Sequence, residues 1–219
     1  MRGLVLNQYY TVDKSLKNYF FISVLLVAVM LLSSNDMLLS MATWVPIMFM
    51  ISPAFEALKH ESASGWNKFV LTFPIKRRHV VQSHYYFFLL LLLAGTMITF
   101  LLIFAMNEFI GGIQVSALLN SVMNGMGIAF IIGYVSYPLT YYYGTEKSDM
   151  ILYIGVFSAI GFYIFAGWLF EQIISLGWFG LSVEGHIDLI FSFLFLILNL
   201  IIFILSYFVT VFIYQKKEF

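Results

Sequence analysis

The chain contains no cysteine, so neither a disulfide framework nor a thiolate metal site is open to it. Charge is scarce too. Only 10% of the 219 residues are Asp, Glu, Lys or Arg, against roughly 25% in soluble domains. With 62% hydrophobic residues and a mean hydropathy of +0.94, the composition excludes a water-soluble globular fold and predicts one polytopic membrane domain over residues 1–219.

Catalytic motifs are missing as well. There is no GxxxxGK[ST], so no nucleotide is expected through a phosphate-binding loop, and there is no HExxH zinc motif. His60, His79 and His84 share one hydrophilic stretch. Loop histidines of this kind are usually solvated or near headgroups, so no metal is expected. No charged residue falls deep in a hydrophobic run. That argues against a proton-coupled pump or a carboxylate protease inside the membrane, both of which need titratable groups there. The serines Ser136, Ser158, Ser192 and Ser206 lack a histidine partner and read as interhelical hydrogen bonders, as does Asn199. The chain is expected not to be an enzyme. No cleavable signal is expected either, since the first twenty residues scatter their charges and offer no small-residue cleavage site.

What is present is a series of long apolar runs. They predict an all-α membrane protein with six spans, at approximately 16–32, 37–55, 85–106, 115–143, 150–170 and 189–214. Residues 1 to about 17 mix apolar and polar side chains and suit an interfacial helix. Pro46 and Pro53 lie in the second run, where membrane helices tolerate them. SSND (33–36), NEFIGGIQ (107–114) and GTEKSD (144–149) read as turns. Residues 171–188, near Trp168, Trp178 and Phe179, read as an amphipathic segment before the last span. Tyr134, Tyr137 and Tyr141–Tyr143 suggest an aromatic belt. Gly125, Ala129 and Gly133 recur at every fourth position, the small-xxx-small spacing that lets helices approach closely, either within the protein or as a dimer seam.

Six spans put both termini on one side. All eleven Lys and Arg residues then fall on that side with six acidic residues, while five acidic residues and no basic ones fall opposite. The inner face is near +5 and the outer near −5, which predicts cytoplasmic termini in a bacterial cell membrane.

The stretch 56–84 is the longest hydrophilic segment and carries Lys59, Lys68, Lys76, Arg77 and Arg78. Within it Trp66, Phe69, Val70 and Phe73 stand at i, i+3, i+4 and i+7, which predicts one apolar helix face. Ser62 and Ser64 are candidate N-caps and Gly65 loosens the start. Pro74 stops the pattern and pushes Phe73 toward extended backbone. By pattern alone such a face fits a bilayer surface as well as a protein groove. The run Lys76–Arg78 suits a headgroup anchor.

The order of these features resembles the permease subunits of ABC-2 type exporters, over nearly the whole chain. The residues that carry the likeness are Glu56, Trp66–Asn67–Lys68, Thr72–Phe73–Pro74–Ile75–Lys76–Arg77 and Val80–Val81. They are similar to the acidic residue, the "t-l-P-[IV]-[ST]-R" stretch and the valine-rich third span of the small-permease branch. Phe73 replaces the usual leucine and Lys76 the usual hydroxyl residue. The resemblance implies a cytoplasmic coupling helix between spans two and three. Glu56, Trp66, Phe69, Val70, Phe73, Pro74 and Arg77 would be its ATPase-coupling residues. It implies ABC ATPase subunits that bind the ATP, no cofactor in this chain, a second permease (a second copy or a related subunit), contact with membrane lipid and no nucleic acid. The branch that exports staphylococcal phenol-soluble modulins is similar overall, which implies amphipathic peptide cargo. The competing expectation is a non-transporting immunity or sensor protein, which would function without any ATPase. A secondary transporter or membrane enzyme is a third class, and it would need a titratable group in the membrane.

Overall fold

The computed structural model describes residues 2–32, 36–110, 115–176 and 187–217. Among them every regular element is helical. Six long helices, α1 (Arg2–Leu31), α2 (Asp36–Ala63), α4 (Arg77–Ile110), α5 (Val115–Tyr143), α6 (Ser148–Ser175) and α7 (Ile187–Lys216), are joined by a one-turn α3 (Trp66–Phe69) and two 3₁₀ turns, Val70–Thr72 and Thr145–Lys147. Five of the long helices, all but α1, are long and apolar enough to cross a membrane. In hydrocarbon every backbone N–H must be satisfied within the protein, and continuous apolar runs of this length do so within their own helix rather than as short alternating barrel strands.

Five of the six expected spans fall within helices that could cross a membrane, while the first, 16–32, lies almost wholly in α1, which is not one of these, and the helices outrun the apolar runs. The interfacial segment and the first span are one uninterrupted helix, α1, whose Leu4, Gln8 and Val12 are buried against the bundle. The hydrophilic stretch is much shorter than 56–84. Helix α2 continues to Ala63 and α4 begins at Arg77, so Glu56, Glu61 and His84 are helical and the connection spans only 64–76. Hydropathy marks where side chains turn polar, whereas the helix ends where a backbone breaker stands. Here that breaker is Gly65, at φ +72°, with its N–H on the Ser62 carbonyl. Gly144, at φ +92°, ends α5 in the same way. The expected turn at 107–114 begins inside α4, and residues 111–114 lie outside the described residues. The amphipathic segment 171–188 begins as the last turns of α6 and ends in α7, and its residues 177–186 also lie outside them.

Helices α2, α4, α5 and α7 make the core, with α1 on the side of α2 and α6 on the side of α5. Helix α5 packs most extensively on α7. Between lipid-facing helices apolar burial gives no net drive, so close packing must hold the bundle. Two features supply it. Gly125 lies against Trp44 and Ile47 of α2, where an added Cβ would stand 3.2 Å from each. Gly133 lies against Phe203 and Phe88, where an added Cβ would stand 2.8 and 3.0 Å away. Ala129, between them, is fully buried. The small-residue seam is thus occupied by contacts within the chain. The second feature is an aromatic layer. Phe88 stacks on Phe203 at 5.2 Å between centroids and Tyr85 on Tyr137 at 4.7 Å, with Phe55 beside Tyr137.

Candidate functional site

One end of the bundle collects the start of α1, the end of α2, the start of α4, the end of α5, the start of α6 and the end of α7. Polar bridges between these elements fix that end. Gln8 of α1 donates from Nε2 to Ser83 Oγ of α4 at 3.0 Å. Tyr19 donates its hydroxyl to Glu56 Oε1 of α2 at 2.7 Å. Lys59 pairs with Asp149 of α6 at 2.7 Å. Lys217 Nζ donates to the Tyr141 carbonyl at 2.9 Å. This basic end carries the connection 64–76.

The connection differs from the expected amphipathic helix. Its α-helix ends at Phe69, and Val70–Thr72 tightens into 3₁₀. Phe73 is extended, at φ −80° and ψ 155°, as a residue before proline should be. The tightening splits the apolar face. Trp66 packs against the core and Val70 is fully buried, while Phe69 and Phe73 are 53% and 44% exposed. Their rings meet edge to face at 5.1 Å between centroids. Pro74 is exposed as well. Ser62 lies inside α2, and Ser64 Oγ donates back to the Glu61 carbonyl at 3.2 Å, so neither caps α3. Gly65 takes that place, its carbonyl accepting from Phe69 N–H.

The roots of the connection are pinned. Arg77, at the head of α4, donates from one guanidinium nitrogen to the carbonyls of Tyr214, Gln215 and Lys217 at 3.2, 3.0 and 2.8 Å. These are carbonyls at the end of α7, which have no partner within the helix, and a cation there also meets the negative end of the helix dipole. Arg77 is therefore a cap on α7 and not simply a headgroup anchor.

Deeper, Glu61, His84 and Tyr141 form a buried triad that joins α2, α4 and α5. His84 Nε2 lies 2.9 Å from Glu61 Oε2, and His84 Nδ1 lies 2.7 Å from the Tyr141 hydroxyl. A carboxylate at Glu61 accepts from Nε2–H, while Nδ1 and the Tyr141 hydroxyl share the second hydrogen bond. Tyr137 donates to the His84 carbonyl at 3.2 Å. On the far side, Tyr85 shares hydrogen bonds with Ser206 and Thr210 of α7 at 2.9 and 2.8 Å. A cavity of about 370 Å³ lies alongside, lined by Leu58, Gly65, Tyr141, Glu146, Tyr214 and Lys217 among others.

This triad overturns one expectation: His84 is no solvated loop histidine. Glu61 and His84 are buried in the helix ends, outside the apolar runs. Among the described residues no three His, Asp or Glu side chains gather as a metal site. Tyr137 and Tyr141 belong to the core, while Tyr142 and Tyr143 remain exposed as a belt would be. Of the four span serines, Ser206 bridges helices, reaching the Tyr134 carbonyl at 3.0 Å. Ser158 and Ser192 bond within their own helices, as does Asn199, which donates to the Phe195 carbonyl.

The family model described as "ABC-2 family transporter protein" matches residues 3–215. The chain belongs to the ABC-2 transporter family. No curated protein and no solved structure matches it. Membership makes it a multi-pass membrane permease of an ABC transporter and implies ATPase subunits as partners.

Proposed function

We propose that this ABC-2 permease exports amphipathic or hydrophobic peptides, such as phenol-soluble modulins, and is driven by separate ATPase subunits gripping residues 66–73. The observation that supports this reading best is the exposure of Phe69 and Phe73 on a connection outside the candidate spans. Two bare aromatic rings on a water-facing turn cost hydration free energy unless a partner covers them. Each ring contributes roughly 1.5–3 kcal/mol to docking if fully covered.

On this reading the permease binds no nucleotide and catalyses no reaction. ATP-driven closure of the ATPase pair moves the Trp66–Phe73 turn. The buried Val70 and the Glu61–His84 contact carry that motion into α2 and α4, and Arg77 carries it into α7. A second permease, identical or related, completes the path in a bacterial cell membrane, with both termini and the basic end in the cytoplasm. The test is a pull-down from native membranes with the double variant Phe69→Ala/Phe73→Ala, and with Trp66→Ala beside it. Loss of the ATPase subunit with normal membrane insertion is the expected result. Undiminished recovery of the ATPase overturns the reading.

A further inference from the structure

A groove of about 290 Å³ runs between α4 and α7. From α4 it takes Gln82, Tyr85, Tyr86 and Leu89, and from α7 Leu200, Phe203, Ile204 and Tyr207. It is graded along its length. Gln82 and the tyrosine rings stand toward the basic end, where amphipathic rings suit the headgroup level. Leu89, Leu200 and Ile204 stand toward the middle of the spans, where only acyl chains are available. The groove opens on the lipid-facing side, since Tyr86, Leu200 and Ile204 are exposed.

Arg78 completes the gradient. It sits one turn before Gln82 on the stripe 78, 82, 85/86, 89 of α4, and it is exposed. Its neighbour Arg77 is committed to the end of α7, so the two adjacent guanidinium groups are divided, one inward and one to the surface. A groove that is apolar at depth, polar at its mouth and headed by a guanidinium has the chemistry of an anionic phospholipid in reverse. The guanidinium matches a phosphate diester by paired hydrogen bonds.

We infer that the α4–α7 groove binds one anionic phospholipid of the leaflet at the basic end, with an acyl chain along Leu89, Leu200 and Ile204 and the phosphate on Arg78. The site is independent of the ATPase-coupling reading and does not need it.

Native mass spectrometry of the full-length protein in detergent, with phosphatidylglycerol or phosphatidylcholine added at equal concentration, tests the inference. The protein should retain phosphatidylglycerol in preference to phosphatidylcholine. Arg78→Ala should lower that preference roughly fivefold, as loss of one basic contact near a membrane predicts. Leu200→Trp, which fills the groove from the lipid side, should reduce retention of both lipids. Lys14→Ala, an exposed basic residue on α1, should change nothing. Equal retention of the two lipids, or an equal loss in Lys14→Ala and Arg78→Ala, overturns the inference, because either shows only diffuse charge. So does full phosphatidylglycerol retention in Leu200→Trp, or displacement of the lipid by an added amphipathic helical peptide that binds with Arg78 removed.

Discussion

His84 Nε2 stands 2.9 Å from Glu61 Oε2, with the two side chains 1% and 3% exposed, directly behind the connection that the two helices share. A buried pair of this kind is weak as a source of stability but costly to break on one side only. Glu61→Ala leaves His84 Nε2 without its acceptor and is expected to destabilise the protein by about 3 kcal/mol. Glu61→Gln keeps an acceptor oxygen and should cost distinctly less. Thermal unfolding in detergent of Glu61→Ala, His84→Ala and the double variant checks this. The double variant should be less destabilised than the two single losses added together. Strict additivity would show that the contact holds nothing.

Arg77 links the start of α4 to the end of α7 through three carbonyls. Lysine keeps the charge and three N–H donors but ends one atom short of the guanidinium nitrogen that makes all three contacts, so Arg77→Lys should fall between the parent and Arg77→Ala. The expected effect is local: faster amide exchange over the last turn of α7, with the bundle core unchanged. Charge-assisted hydrogen bonds are worth about 1.5–3 kcal/mol when well buried, and this partly exposed site lies toward the low end. Exchange that speeds up evenly along α7 would disprove a local cap.

Gly133 has no room for a side chain. A Cβ there would stand 2.8 Å from the Phe203 ring and 3.0 Å from Phe88, and those rings are themselves stacked. Gly133→Val is expected to cost about 1–3 kcal/mol by overpacking, read as a lowered unfolding temperature. Gly161 has nothing within 4 Å of an added Cβ, so Gly161→Ala should be neutral. A dimer seam at Gly133 would give a different result, a change in oligomeric state with the unfolding temperature of the single chain preserved.

Much of this was legible in the sequence, for physical reasons that also mark where it stopped. Apolar runs such as 115–143 located the helices, because hydrocarbon leaves the backbone no alternative. The ends of α2 and α4 were not legible from polarity, because Glu61 and His84 look like loop residues until Tyr141, 57 residues beyond His84 in the chain, supplies the third partner. Their positions ahead of Gly65 and after Pro74 were the available signal, since helices run to their breakers. The spacing of Gly125, Ala129 and Gly133 announced close packing correctly but could not say against which helix. The face Trp66, Phe69, Val70 and Phe73 has an α-helical period in the sequence, and a 3₁₀ turn at Val70–Thr72 changes that period midway.

That change of period separates two roles along eight residues. Val70 is fully buried, and Val70→Ala removes two methyl groups from a packed position, for an expected loss of about 2 kcal/mol. Phe69 and Phe73 touch each other, and Phe69 also meets the Trp66 ring at 5.6 Å, yet both stay largely exposed, so replacing both with alanine should lower the unfolding temperature only slightly. If the ATPase grips this turn, the pattern in transport reverses. Phe69→Ala/Phe73→Ala should abolish ATP-driven export from proteoliposomes at parental stability, while Val70→Ala should lose export only in proportion to the protein that unfolds. Measuring both quantities on the same preparations separates a docking surface from a structural turn. Export that survives the double variant would show that the two rings are not where an ATPase grips this turn.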